Sequence, residues 1–222
     1  MELDVIEDWA DPEHEFDLVV DYDPSLWLEI PPRWDDESWE DIGAWASDSA
    51  RLLWQSHGAD PGEGGIPFLA GTLSRCAEAF SPERFDTRVL LHISSPTSMP
   101  LPVFTAVRPA VGDREATLRA LVRADDPDAV EPPVVEAFPS EDLGEGLRAL
   151  RYVRQDDARE VLAGLSYAWR NEDIGTDTVL WTATDDIAQV LRAAKDIEQL
   201  TREILIRIWD GEPEEGGAAD VR

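Results

Sequence analysis

The sequence predicts an α+β domain: an antiparallel sheet of about six to eight strands, helices packed mainly on one face, and a long C-terminal helix. Three observations lead there. Val161, Ala163, Leu165, Tyr167 and Trp169 alternate with smaller or polar residues, the period of two of a strand. After the short connection Asn171-Glu-Asp-Ile-Gly175, the run Thr178-Val-Leu-Trp-Thr182 is β-branched or aromatic and suits a returning strand. Past Asp185 the period becomes three to four, with Ile187, Val190, Leu191, Ala194, Ile197, Leu200, Ile204, Leu205 and Ile208 on one helical face. Thr184, Asp185 and Asp186 supply capping oxygens at its start, and Gly211 and Pro213 mark its end.

The remaining elements follow in order. Residues 1–15 read as an acidic arm, 16–210 as one folded domain and 211–222 as a disordered tail. Phe16 to Tyr22 reads as a short strand, and Leu26-Trp-Leu-Glu-Ile30 as another, stopped by Pro31-Pro32. Asp35-Asp-Glu-Ser38 leads into a helix with Ile42, Trp45, Ser49, Leu52 and Leu53 inward. Pro67 opens a second helix to Phe80, with Phe68, Leu69, Thr72, Leu73, Cys76 and Phe80 inward. Arg88 to Ile93 and Leu101 to Val107 are strands, a short helix runs from Asp113 to about Arg123, and Val134 to Phe138 and Leu147 to Val153 flank the Gly144-Glu-Gly146 turn.

Charge is the strongest global signal. Forty-eight acids against nineteen bases give −29, and residues 1–48 hold seventeen acids and the single base Arg33. Phosphate contacts need Lys and Arg, so nucleic acid and anionic membrane are poor partners, and a basic protein is the expected one. Salt adaptation is the competing explanation, but it spreads charge over a whole surface rather than concentrating it in about a fifth of the chain. No apolar run approaches the roughly 20 residues of a membrane span, and Met1-Glu-Leu-Asp-Val has neither a basic nor an apolar leader region, so the expectation is a cytoplasmic chain. The single cysteine, Cys76, excludes an internal disulfide. Oligomeric state is not encoded in any pattern.

The stretch Leu26-Trp-Leu-Glu-Ile-Pro-Pro-Arg-Trp34 resembles the opening of PsbP-like proteins. The closing order of three strands (147–153, 161–169 and 178–182) and a helix is similar to the end of that fold. In this the chain also resembles small bacterial proteins of the LpqN type. The resemblance covers about half the chain and implies a binding or assembly role, not an enzyme, though fold alone does not settle function. There is no lipoprotein signal, and the middle of the chain carries extra helical sequence.

Candidate chemistry is sparse. Cys76 falls on an apolar helix face with no His or Lys near in sequence, which fits an inert buried thiol. His14, His57 and His92 lack ligand spacing, so no metal is expected. Asp125, Asp126 and Asp128 lack the pattern of a calcium loop and read as solvated charge. No nucleophile elbow, phosphate loop or dinucleotide fingerprint occurs, so neither a catalytic residue nor a cofactor is expected. Functional colour lies in the first third, where Trp9 and Trp39 stand among acids. Trp9, Asp35, Asp36, Glu37 and Trp39 are therefore the candidate partner-binding residues of an acidic, non-enzymatic adaptor. Two alternatives are a carrier of a small molecule or lipid, with a pocket lined by Tyr167, Trp169 and Trp181, and a DNA-mimic inhibitor.

Overall fold

The computed structural model of the protein describes residues 15–34, 39–82, 87–154 and 161–209. Seven strands form the main sheet: β2 (Trp27–Glu29), β3 (Arg88–His92), β4 (Leu101–Pro109), β5 (Val134–Ala137), β6 (Glu145–Arg154), β7 (Val161–Asn171) and β8 (Thr176–Thr184). Their spatial order is β2-β3-β4-β8-β7-β6-β5, and every neighbouring pair is antiparallel. A separate two-stranded ribbon joins the two ends of the fold: β1 (Glu15–Val20) pairs antiparallel with β9 (Ile204–Trp209), from Glu15 opposite Trp209 to Val20 opposite Ile204. The helices are α1 (Ile42–Ser56), α2 (Gly65–Ala79), α3 (Arg114–Leu121) and α4 (Ile187–Thr201).

Side chains alternate across a strand, so the register assigns each residue to a face. Leu90, Val103, Leu165, Tyr167, Trp169 and Leu180 share one face, covered by α4 and the ribbon through Val190, Ala193, Ile197, Leu200, Leu18 and Ile204. Val89, Leu91, Phe104 and Trp181 lie on the other, under α1 and α2. Ala149 and Ala168 continue that second face beneath α3, where Leu118 and Val122 pack. Both faces are thus covered, three helices on one and α4 with the ribbon on the other. The consequence shows in β7, which is buried without a break from Ala163 to Arg170. Its smaller residues meet α3, and its large aromatics lie on the α4 face.

Four expectations need correction. The long C-terminal helix is only fifteen residues, because Arg202 and Glu203 turn the chain into β9. Ile204, Leu205 and Ile208 are therefore strand residues that serve the ribbon. Within α4 the buried face is Val190, Ala193, Ile197 and Leu200, while Ile187 (37% exposed) and Leu191 (54%) point outward. Leu52 on α1 and Phe68 on α2 are likewise solvent-facing, each 63% exposed. Finally, Asp126 is not solvated charge. Its carboxylate is almost fully buried and ion-paired to Arg151 of β6. The expected end signals Gly211 and Pro213, the tail 211–222 and residues 1–14 of the arm lie outside the described residues.

Polar contacts fasten the layers. Asp186, not Asp185, caps α4 by accepting from the Gln189 amide at 2.9 Å. His92 of β3 meets Asp196 of α4 at 2.9 Å with its ring against Trp27, and Arg148 of β6 pairs with Glu198 of α4. Asp177 lies between two arginines in one row across three strands, Arg170 of β7 and Arg108 of β4 being its cross-strand partners. Arg170 donates to both Asp177 oxygens at 2.7 and 2.9 Å and to the carbonyls of Val111 and Gly112, each at 2.9 Å. Those carbonyls immediately precede Asp113, the N-cap of α3, so the buried pair also fixes where that helix begins.

Helix α3 closes with an arginine in the place glycine usually takes. Arg123 has φ 53°. Its amide donates to Ala120 and the Ala124 amide to Arg119, the paired closure of a Schellman turn. A side chain in this left-handed region costs roughly 1–2 kcal/mol that glycine would not.

Candidate functional site

The groove nearest the sequence-predicted residues forms where the first third of the chain meets the ribbon. Strand β2 is stopped by Pro31 and Pro32, which carry no amide hydrogen to continue the ladder. The chain then folds over α1, with Trp34 edge-on to Trp45 at 5.7 Å between ring centres. Trp45 is fully buried, while Trp34 and Trp39 are half-buried against the same cluster. The result is a groove of about 560 Å³ walled by Tyr22, Leu28, Pro31, Pro32, Trp39 and Pro82. A second hollow of about 450 Å³ shares Asp17, Pro32, Pro82, Thr87 and Arg88 with it and continues toward Val107.

The polar side of the groove is organised by Arg88. Glu29 pairs with Leu90, and Arg88 lies diagonally across the same pair of strands. Arg88 grips Glu29 with Nε and Nη2, at 2.7 and 2.8 Å, and its Nη1 donates to the Leu18 carbonyl of β1. One side chain thus ties the ribbon to the sheet edge. Burial opposes the Arg88 charge, but the hydrogen bonds and charge of Glu29 outweigh it and hold the guanidinium more firmly protonated than usual. The Tyr22 phenol is pushed up, first by burial and then by the nearby Glu29 carboxylate. Because Glu29 is occupied by Arg88, the acid outside an ion pair among the described lining residues is Asp17, exposed on β1 opposite Arg207 and with its charge felt at Arg88.

The described lining contains no histidine, cysteine or serine, and its titratable groups are Asp17, Tyr22, Glu29 and Arg88. Elsewhere His57 Nδ1 lies 2.9 Å from the Leu53 carbonyl at the end of α1, and His92 is held by Asp196. Cys76 is buried in α2, and burial pushes its thiol up, away from the reactive thiolate. Among the described residues no group of three His, Cys, Asp or Glu is placed to hold a metal ion, and no helix is long and apolar enough to cross a membrane.

Of the five residues singled out from the sequence, Trp39 lines this groove, and Trp9, Asp35, Asp36 and Glu37 lie outside the described residues. Tyr22, Asp17 and Arg88 escaped sequence reasoning because they come from β1, β3 and the turn after β1, brought together only by the ribbon. The carrier pocket needs correction in its lining. Trp181 is on the α1–α2 face, stacked on Phe104 at 5.3 Å, whereas Tyr167 and Trp169 stack on each other at 5.7 Å on the α4 face. The three cannot line one pocket. Compared with known proteins, the chain matches no family model and no curated protein.

Proposed function

We propose that this chain is a non-enzymatic binding protein that holds a segment of a basic protein partner in the groove between Pro31-Pro32, Trp39 and Tyr22. The acids of residues 1–48 steer the partner's approach. The observation that carries the reading is Trp39: a half-buried indole beside a second aromatic, two prolines and the open Asp17 carboxylate, in a stretch with seventeen acids and one arginine. Aromatic anchors of this kind supply most of the affinity at an interface, while surrounding charge mainly raises the association rate. The PsbP-like resemblance of the opening and closing elements agrees with a binding role.

The test separates these two contributions. A partner captured from native extract at low salt is purified and its binding kinetics are followed at two ionic strengths. Charge steering is screened over about 8 Å at physiological salt, so association slows at high salt while dissociation changes little. Asp17→Asn, or replacement of Asp35, Asp36 and Glu37 by their amides, lowers the association rate. Trp39→Ala instead raises dissociation about tenfold, the equivalent of about 1.4 kcal/mol. A partner indifferent to salt, to the acids and to Trp39 would leave the acidity as a solubility device and end this reading.

A further inference from the structure

Another hollow, open to solvent, lies along α3. It encloses about 770 Å³ between one side of that helix and the loop Asp125–Asp128. Ala116, Arg119, Ala120 and Arg123, spaced three and four residues apart, form the helical wall. Most charges here are already committed. Asp113 caps α3 through the Ala116 amide at 2.9 Å, and Asp125 takes Arg119 on both oxygens at 3.2 and 2.6 Å. Asp126 accepts from Arg151 and from the Asp128 amide. Arg123 is different. Arg123 is half-buried, yet among the described residues its guanidinium makes no hydrogen bond or ion pair, and its charge bears on the like-charged Arg151. Arg151 is itself nine-tenths buried, with its Nε packed over Gly164 and without a hydrogen-bond partner.

Two unfavourable features thus coincide at one residue: a left-handed backbone that glycine would adopt freely, and a cation without a counter-ion among the described residues. Local stability explains neither, since glycine would close the same turn. We propose that the Arg123 end of this hollow binds an oxyanion, the phosphate or carboxylate group of a small ligand, gripped by the planar fork of the guanidinium. The body of the ligand lies along Ala116 and Ala120. Glu115 and Asp128, exposed on the rim, repel a polyanion, so the ligand carries one anionic group and is not a nucleic acid. This site is separate from the Trp39 groove and does not depend on it.

The experiment uses the full chain and its Arg123→Gly variant, with inorganic phosphate, acetate and sodium chloride at matched ionic strength. Without added anion the variant melts about 2–8 °C above the parent, because the backbone strain is removed. Phosphate or acetate then raises the melting temperature of the parent above its value in chloride, and the variant loses that difference. General salting effects move both proteins equally and cancel in the comparison. A shift with phosphate alone identifies a phosphate group, and one with acetate identifies a carboxylate. In parallel, the Arg123 Nε resonance moves saturably with the effective anion. Equal shifts in parent and variant, or no shift in the parent with either anion, overturn the site. A glycine variant less stable than the parent also overturns it, because Arg123 would then be held by contacts within the protein.

Discussion

Replacing Asp177 with Asn removes the carboxylate between Arg170 and Arg108 and leaves two guanidinium groups facing one another through the centre of the sheet. Asp177 is fully buried and Arg170 is 4% exposed, so water cannot take over the lost contacts. Two charge-assisted hydrogen bonds, at 2.7 and 2.9 Å, are weakened together. At about 1.5–3 kcal/mol each they predict a loss of roughly 3–6 kcal/mol, close to the 3–5 kcal/mol typical of breaking a buried pair from one side. That is a large part of the roughly 5–15 kcal/mol by which a domain is stable. The loss corresponds to a fall in melting temperature of about 6–24 °C.

The location of the damage is also specified. Arg170 holds the Val111 and Gly112 carbonyls only while its own orientation is fixed by Asp177, so hydrogen exchange in α3 accelerates before exchange in β3. Urea denaturation of Asp177→Asn, Arg170→Met and the double variant completes the cycle. The double variant loses less than the two single losses added together, by about 0.5–3 kcal/mol, because the second change no longer strands a charge. A single-variant loss below about 1 kcal/mol, or strict additivity, would refute the reasoning.

Two further predictions concern the α4 face. Leu200, 2% exposed, loses about 2–5 kcal/mol when changed to Ala, measured by chemical denaturation, and a loss below about half a kcal/mol would put α4 off the sheet. The Tyr167 phenol is raised well above its usual value, first by burial and then by Glu198, with Arg148 opposing. The neutral form is the one the fold favours, so its contribution is intact below the ordinary phenol pKa of about 10 and stability falls as pH rises beyond it. Tyr167→Phe flattens that alkaline loss, and an unchanged pH profile would show that Tyr167 ionises as readily folded as unfolded.

Most elements were legible because their signals are local. Turn residues bound the strands, and an apolar period of three to four marks the helices. The misread segment, Ile204–Trp209, shows where local reading ends. In Ile-Leu-Ile-Arg-Ile-Trp the pattern of a strand is plain, with Ile204 buried and Leu205 exposed, yet its apolar residues also continue the α4 period. Thr201-Arg202-Glu203 supplies no glycine or proline to break that period, and the decisive partner, β1, lies at the other end of the chain. The outward turn of Ile187 and Leu191 has a similar cause. Helical periodicity says that a stripe exists, while the sheet beneath selects Val190, Ala193, Ile197 and Leu200 as the stripe that is buried.

The candidate groove inherits this division. Trp39 could be singled out because an indole between acids fits poorly in a core, a property visible without knowing any neighbour. Asp17, Tyr22 and Arg88 carry no such mark. Asp17 is one acid of seventeen in its segment, and Arg88 opens an ordinary strand. They acquire a role only because β9 draws β1 against the sheet, where the Leu18 carbonyl reaches Arg88 and Arg88 in turn occupies Glu29. That occupation decides which carboxylate is open, since Glu29 is closer to the prolines in sequence but is already neutralised. Composition therefore shows only the excess of acids, whereas the ribbon pairing determines which described carboxylate of this groove stays outside an ion pair.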